Sequence, residues 1–531
     1  MARLHTKNMT QGAPLPLLLS FLLPLLLGLL FQQFYSMVDT IVVGNYLGME
    51  ALAGVGSTSS INFLVLGLCN GICAGFAIPV AQKFGEGDLR GLRAFVGNMI
   101  WLGSAIALIV TLITTFGCRL FLTLMRTPED TFAYAYNYIL LIFAGIPATM
   151  LYNILSGILR SLGDSRTPLI FLIFSSLLNV VLDLLCVVTL NMGVAGAGWA
   201  TLFSQLISGL LCLVYMAKKF PILHLNREDL RFRKFYAGKL LLMGLPMGLQ
   251  YSITAIGSIL IQSAVNSLGS VVMAAVAAAN KVNALFCCPF DAIGTTAATY
   301  AGQNLGAGKI KRVHQGVKAN ALLGAIYSAA ALAALFFTAQ LLSGLFLDPK
   351  DLDSAARILP LARKMLLYNA AFFIPLLFVN LLRFTIQGLG YSNLATVAGV
   401  FEMIARGVFA LCLTDFRLVC PKGGVIEFSE VQVVGAAAAQ PRLQNVRRGS
   451  VHKSERKRGK KHTVEGFRIG GAENVGNVQT AHFGLCADFA HEGGLAAAGA
   501  AFDDIKPFQL VKEGIVVGKK ALRRAGAKEK G

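Results

Sequence analysis

Two short stretches decide the fold of this chain: AQKFGEG at residues 81–87 and GQNLGAG at residues 302–308. They lie 221 residues apart (302 − 81), and the same offset carries Leu47-Gly48 onto Leu268-Gly269. Similarity that recurs at a fixed spacing is the mark of an internal repeat. The pair therefore predicts that one half of the chain was copied to make the other.

Further landmarks keep the same order in both halves. Pro24 falls within one residue of Pro246 at this offset, and LGDS at 162–165 matches LGYS at 389–392 at an offset of 227 (389 − 162). Pro147 and Pro375 are separated by a nearly equal distance. The order and the spacing together predict a duplicated unit of more than 200 residues.

The composition places this unit in a membrane. Apolar residues make up 55% of the chain and charged residues 14%, whereas soluble proteins carry about 25% charged residues. Apolar runs of about 20 residues, each able to cross the bilayer as a helix, recur along the first 413 residues. The runs lack the alternation of barrel strands, so helices are predicted. We predict eleven spans, near 15–40, 52–80, 95–117, 133–157, 168–190, 194–216, 240–265, 273–300, 315–340, 360–386 and 394–413.

The fold class follows from these spans. We predict an all-α polytopic membrane protein with two six-helix lobes, the second of them incomplete. Because six is an even number, both copies enter the membrane in the same direction, and the axis that relates them runs along the membrane normal. The predicted parts are an N-lobe at 1–217, a basic linker at 218–239, a C-lobe at 240–413 and a tail at 414–531. Two such lobes enclose a cleft that suits alternating access.

Basic residues between the spans set the orientation. They cluster in the linker 218–239 and after the second and eighth spans, and Arg160 and Arg166 are assigned to the loop between spans four and five. Arg119 and Arg126 are exceptions on the opposite side. By the positive-inside rule the N-terminus is cytoplasmic, in the inner (plasma) membrane. Most of the positive charge is then a topology signal, and no nucleic acid is expected to bind the membrane part.

Ionisable residues inside spans are costly and are functional hypotheses by default. Asp39 lies in the first span and Asp183 in the fifth, where Asn179 is four residues earlier and shares its helix face. Two carboxylates with an amide favour a Na⁺ site, or one carboxyl that carries a proton. The alternative is that Asp39 lies near the outer helix end and is simply hydrated.

The second half carries a different set of charges. Lys281 and Asp291 lie on the eighth span and are candidates to face the cleft, while Glu402 and Arg406 have the spacing of an ion pair. No nucleophile–base constellation or metal-ligand cluster appears in the spans, so an enzyme is not expected. The 302–308 stretch also lacks the Ser or Thr of a phosphate loop, where Ile310 stands. The energy for transport is therefore expected from an ion gradient.

Residues 1–413 resemble the multidrug and toxic compound extrusion family, the MATE transporters. The motifs that carry the resemblance are Pro24 with residues 33–48, ALAGVG at 51–56, GEG at 85–87, LRSLGD at 159–164 with Pro168, Asn179 with Asp183, residues 193–201, and GQNLGAG at 302–308. The resemblance implies a cation-coupled exporter of bulky, amphipathic, often cationic drugs, with twelve helices in two lobes.

The resemblance also implies site residues. A cation site in the N-lobe is expected at Asp39, Asn179, Asp183 and Thr201, with no metal beyond a Na⁺ held there and no other cofactor. Some members of the family use an acidic residue on helix seven, but the matching stretch 247–254 has no carboxylate. Substrate contacts are expected from Met37, Gln250, Lys281 and Asp291. The partners are small drug-like molecules and the lipid bilayer, and a monomer is expected.

The pattern breaks after Leu413. The tail carries 20 Lys and Arg against 12 Asp and Glu, including a basic run at 456–462, and a twelfth span is missing. One interpretation is a soluble extension that binds nucleic acid or anionic lipid. The favoured one is a shifted reading frame, which would leave a disordered tail. Two rival functions therefore stay open: a flippase for lipid-linked saccharides, and an inactive, truncated transporter.

Overall fold

The computed structural model describes residues 7–125, 127–266, 268–346 and 352–419. Within these ranges the chain forms α-helices joined by short turns, with no strand. The predicted tail 414–531 lies outside these ranges beyond Val419, so whether it is a soluble extension or the product of a shifted reading frame stays a prediction. The last described helix continues past residue 413 to Val419, and the break predicted at residue 413 stays a prediction as well.

The first copy contains eight helices. Their bounds are α1 Pro14–Leu47, α2 Met49–Ser57, α3 Ser59–Glu86, α4 Leu89–Leu124, α5 Glu129–Ala144, α6 Ile146–Ser161, α7 Arg166–Asp183 and α8 Val194–Lys219. A π-helical turn, Leu184–Thr189, continues α7 directly. The turn between α3 and α4 uses Gly87 in the left-handed region at φ 79°, which favours glycine because it has no Cβ. Asp88 then caps α4 by accepting a hydrogen bond from the Gly91 N–H at 2.8 Å.

The second copy repeats this plan. Its helices are α9 Lys234–Asn266, α10 Ser270–Gly306, α11 Ile310–Gly344, α12 Leu352–Ala371, α13 Phe373–Gly388 and α14 Ser392–Val419. Each copy has one broken span in the same place: α5 and α6 meet at 45°, and α12 and α13 meet at 52°. Pro147 and Pro375 lie just after these breaks. Proline is accepted in the first turn of a helix but disrupts the interior of a continuous one, so a break in the span is expected at these positions.

The all-α two-lobe architecture predicted from the sequence is confirmed. In the described ranges eight helices are long and apolar enough to cross a membrane, and ten spans result if each bent pair counts as one. This number is lower than the predicted eleven. The eleventh segment is helical, as α14, but it is not one of those ten.

Glycines let the two copies pack closely. Gly71 and Gly75 on α3 face Gly244 and Gly248 on α9, one turn apart on each helix. A Cβ on Gly71 would stand 2.6 Å from the Met247 carbonyl oxygen, so the backbones are already in contact there. Small residues at this spacing let helix axes approach in a membrane.

The α3 and α10 helices close one end of the interface. A Cβ on Gly85 would overlap the Gln303 carbonyl oxygen, and a Cβ on Gly306 would overlap the Gln82 carbonyl oxygen. These contacts are related by the 221-residue offset of the duplication, since 82 + 221 = 303 and 85 + 221 = 306. The duplicated stretches that open the sequence therefore pack against each other across the axis that relates the copies.

The N-terminal segment lies over the same closed end. Met9 is buried, its N–H donates to Gln303 Oε1 at 2.9 Å, and its carbonyl oxygen accepts from Arg312 Nη2 at 3.2 Å. Lys309 Nζ donates to the Thr10 carbonyl oxygen at 2.9 Å. The segment before α1 is thus held by side chains of the second copy.

Candidate ion and substrate sites

Two carboxylates lie deep in the N-lobe. Asp39, on α1, is 8% exposed, and Asp183, the last residue of α7, is 0% exposed. The alternative that Asp39 is a hydrated residue near the helix end does not fit this burial. The two side chains are close enough for their charges to interact. Like charges that share a buried site repel each other strongly because little solvent screens them.

The neighbours of these carboxylates leave part of each one unsatisfied. Tyr138 Oη, from α5, donates to Asp39 Oδ2 at 3.5 Å, which is a long hydrogen bond. The Oδ1 atoms of Asp39 and Asp183 are both buried and have no hydrogen-bond partner among the described residues. A buried acceptor without a donor needs a proton, an ion or a water. The arrangement is therefore suited to binding a cation.

Asn179 and Thr201 complete the predicted set. With its amide oriented to suit its neighbours, Asn179 donates through Nδ2 to Asp183 Oδ2 at 3.0 Å and accepts through Oδ1 from the Thr201 N–H at 3.2 Å. Thr201 and Tyr35 of α1 line the same cavity. The four residues expected from the sequence thus lie together, on α1, α7 and α8. No group of three or more His, Cys, Asp or Glu forms a metal cluster in the described ranges.

Two of the ion-site candidates, Asp39 and Thr201, border a large cavity in the N-lobe. This N-lobe cavity has a volume of about 500 Å³ and is lined by Asp39, Tyr35, Tyr138 and Thr201, and by Pro24 on α1. A second cavity, of about 310 Å³, lies between the copies and is lined by α1, α3 and α6 from one copy and by α9, α10 and α13 from the other. We call it the central cavity. The two share the wall residues Leu25, Leu29, Gln32, Asn70, Asn153 and Arg160.

The four predicted substrate contacts are not brought together. Asp291 lines the central cavity, and its side chain is open to it. Gln250 is buried and accepts a hydrogen bond from Gln387 Nε2 at 2.6 Å. Met37 and Lys281 line neither of the two cavities, and Lys281 is exposed on α10. Contact of these four residues with substrate stays a prediction.

The sequence missed Arg160. It was assigned to a loop as a topology signal, but the structure places it in the last turn of α6, on the wall of both cavities. Its position three residues after the end of the predicted span 133–157 concealed it. The signal that identifies it is the bend before α6. A bent span needs more residues to cross the membrane than a straight apolar run, so this one continues to Ser161.

A partly buried ion network joins α13 to α14. Arg383 Nη2 and Arg406 Nη2 each lie 2.5 Å from a different oxygen of Glu402. The predicted ion pair between Glu402 and Arg406 is confirmed, and Arg383 joins it. Arg383 and Arg406 therefore share Glu402 as their counter-charge in the second lobe.

Comparison with known proteins identifies the family. The model of the MatE family matches residues 24–185 and 246–411, one match in each copy. The chain belongs to the MatE family. It is 33% identical over 307 residues to "Probable multidrug resistance protein YpnP" of Bacillus subtilis, which covers 58% of this chain and 68% of that protein. It is 24% identical to the "FAD transporter" of Shewanella oneidensis, over 63% of this chain and 75% of that protein.

Solved structures of MatE proteins share the fold. The structure described as "Crystal structure of MATE in complex with MaL6" has a TM-score of 0.76 at 20% identity, covering 86% of this chain and 100% of that one. The "Outward-facing conformation of a multidrug resistance MATE family transporter of the MOP superfamily" has a TM-score of 0.75, also at 20% identity. This MatE chain is therefore a multi-pass membrane protein of a transporter family.

Proposed function

We propose that the chain is a secondary active antiporter of the plasma membrane that exports amphipathic drug-like molecules, often cationic ones, in exchange for H⁺ or Na⁺. One observation carries the coupling: Asp39 and Asp183 each hold a buried oxygen without a hydrogen-bond partner among the described residues, and Asp39 lies on the wall of the N-lobe cavity. The names of the relatives from Bacillus subtilis and of "Multidrug export protein MepA" from Staphylococcus aureus support drug export.

Neutralisation of the carboxylates is the proposed driving step. A proton or Na⁺ entering from outside removes the repulsion between Asp39 and Asp183, so that α1 packs closer to α7. Pro24 lies on the cavity wall within α1 and leaves one carbonyl of the helix without its N–H partner. Helices bend readily at such a residue. The N-lobe cavity then shrinks and releases its substrate, and the ion acts only through its different affinity for the two states.

The orientation gives the state that the structure represents. With the N-terminus in the cytoplasm, as the basic loops favour, α3 and α10 both end at the cytoplasmic face. The contact of Gln82 and Gln303 with the opposite copy then closes the cytoplasmic side. We therefore propose that this conformation is open toward the outside and that the chain acts as a monomer.

Gradient-driven export in proteoliposomes tests this function. Wild-type protein is reconstituted, ethidium is loaded, and a pH gradient or a Na⁺ gradient is imposed in separate experiments; the gradient that drives dye movement names the ion. Asp39→Asn and Asp183→Asn are expected to abolish the gradient-driven part. Glu50→Gln, an exposed carboxylate at the start of α2, is the matched control and keeps it.

The result also decides between this function and its rivals. Undiminished gradient-driven export in both aspartate variants contradicts the coupling site. A wild-type chain that moves no dye under either gradient contradicts the function itself and favours the truncated, inactive transporter. A lipid-linked saccharide flippase is not favoured, because the named relatives include drug exporters.

A further inference from the structure

We propose that Arg160 forms a binding subsite for an anionic group, so that the exported molecules include zwitterionic amphiphiles with a carboxylate or a phosphate. The inference rests on the proposed export function and adds the charge of the substrate. Arg160 is the one basic residue among those that line the N-lobe and central cavities. Arginines within membrane spans face a cavity or a counter-charge.

No counter-charge occupies this arginine within the described part of the chain. No carboxylate oxygen there lies within 4 Å of its guanidinium, and no hydrogen bond holds it. The nearest acidic residue along the chain, Asp164, is engaged elsewhere. Its Oδ2 accepts from Thr167 Oγ1 at 2.6 Å, and its Oδ1 accepts from the N–H groups of Arg166 and Thr167. Asp164 therefore caps α7 and leaves Arg160 to the cavity.

The duplication shows that helix packing does not require an arginine at this position. At the offset of 227, Arg160 corresponds to Gln387 (160 + 227 = 387). Gln387 is buried and donates to Gln250 at 2.6 Å, so the second copy fills the equivalent space with a pair of amides. At the offset that relates Pro24 to Pro246, Gln250 corresponds to Gly28 (250 − 222 = 28), which has no side chain to offer.

The two copies have thus diverged at one place. Where the C-lobe is filled by Gln250 and Gln387, the N-lobe has Gly28 and Arg160 on the wall of its 500 Å³ cavity. A guanidinium presents a fork of N–H donors that matches a carboxylate or phosphate. An empty space beside an unpaired guanidinium is what recognition of such a group requires.

Polar neighbours complete the subsite and place a second charge. Asn153 Nδ2 donates to Asn70 Oδ1 at 2.8 Å, which leaves the Nδ2 donor of Asn70 free toward the shared wall. Asp291 lines the same central cavity as Arg160 but forms no ion pair with it. The cavity therefore offers a cationic and an anionic side chain that do not neutralise each other. A zwitterion with its anionic end at Arg160 and its cationic end toward Asp291 satisfies both.

Rhodamine B and its ethyl ester test the subsite, because they share one scaffold and differ in a free carboxylate. Export of each dye is compared in proteoliposomes for wild type, Arg160→Gln and Arg160→Lys. Gln is the residue of the equivalent position in the second copy, so the helix accommodates it. Arg160→Gln is expected to slow export of rhodamine B about tenfold or more, since a charge-assisted hydrogen bond is worth about that factor. Export of the ester should change less than about twofold, and Arg160→Lys should be intermediate.

Three outcomes separate the explanations. Equal loss of both dyes in Arg160→Gln overturns the subsite and makes Arg160 a structural residue of the closed end. A wild type that exports the ester but not rhodamine B overturns it as well, while the export function stands. If wild type exports neither dye, the export function fails. Binding of both dyes to purified wild type then decides the subsite: tighter binding of rhodamine B supports it, and equal dissociation constants overturn it.

Discussion

Gln82 and Gln303, one from each copy, make equivalent hydrogen bonds across the interface between the lobes. Gln82 Nε2 donates to the Gly388 carbonyl oxygen at 3.1 Å, and Gln303 Nε2 donates to the Ser161 carbonyl oxygen at 2.8 Å. Each acceptor lies at the end of a helix, where carbonyl groups lack partners within the helix. The duplication therefore built a symmetric closure, in which each lobe completes a helix end of the other.

The symmetry ends at the N-terminal segment, and this gives a first prediction. Only Gln303 also accepts the Met9 N–H, so Gln303→Ala removes two hydrogen bonds from one buried place. Each lost buried partner costs about 1–3 kcal/mol. Amide hydrogen exchange at residues 8–12 should accelerate about tenfold or more. Gln82→Ala is the control, because its described contacts do not include this segment, and an equal acceleration there would contradict the assignment.

Close packing at Gly85 gives a second prediction. A Cβ there would overlap the Gln303 carbonyl oxygen, and neither backbone can move without separating α3 from α10. Gly85→Ala should lower the free energy of unfolding by about 1–3 kcal/mol, the usual cost of overpacking, as measured by thermal denaturation in detergent. Gly238→Ala, on α9 with no atom within 4 Å of its Cβ, should be neutral or slightly stabilising. Equal destabilisation by both would refute the steric cause.

The Glu402 network gives a third prediction. Glu402 holds both Arg383 and Arg406, and all three side chains are mostly buried. Glu402→Gln leaves two guanidinium groups without a carboxylate, and removal of one partner from a buried ion pair typically costs about 3–5 kcal/mol. Arg406→Gln should cost less, because Arg383 still pairs with Glu402. The midpoints of thermal unfolding should fall in that order, and the reverse order would show that Arg406 is the central residue.

Asp88 gives a fourth prediction, outside the membrane spans. The Lys83 ammonium, 2.7 Å away, and the Gly91 N–H lower the pKa of Asp88. A lowered pKa means that the carboxylate stabilises the fold above its unfolded pKa, about 3.9, and that this contribution is lost as the pH falls through the folded value. Asp88→Ala should cost about 1 kcal/mol near neutral pH, as for other helix caps.

The control for this prediction is Asp88→Asn, which keeps a capping oxygen but loses the charge. Its cost should be smaller than that of Asp88→Ala, because the pair with Lys83 is partly exposed and surface pairs contribute little. Unfolding of both variants and wild type is followed from pH 7 to pH 3. A difference between wild type and Asp88→Ala that grows as the pH falls would contradict the sign of the pKa shift.

The fold and the ion-site candidates were largely accessible from the sequence. In a bilayer an apolar run satisfies its backbone hydrogen bonds by forming a helix, so the helices follow from composition. Their direction and the duplication follow from the spacing of the motifs. Asp39, Asn179 and Asp183 were found because polar groups at membrane depth are rare, and Thr201 was expected from the family resemblance; the structure places the four in one region of the N-lobe. The coupling itself stays a proposal.

The substrate side was not accessible in the same way. Gln250 and Asp291 were expected to act alike, yet one is paired with Gln387 and the other is open to the central cavity. Arg160 was assigned to a loop, because a span of ordinary length ends before it. Which polar side chains face a cavity depends on helix bends and on the partner helix, and neither is encoded in the residues next to them.

The sequence by itself determined that the chain is a duplicated bundle of membrane helices. The length of each apolar run and the spacing of the repeated motifs can be read from the residues without knowing which of them are in contact. Only the tertiary structure decided how the copies differ. It paired Gln82 and Gln303 with opposite helix ends, paired Gln250 with Gln387 in the C-lobe, and left Arg160 on the wall of the N-lobe cavity. These are contacts between residues more than a hundred positions apart, and their energies depend on burial and geometry that exist only once the helices have packed.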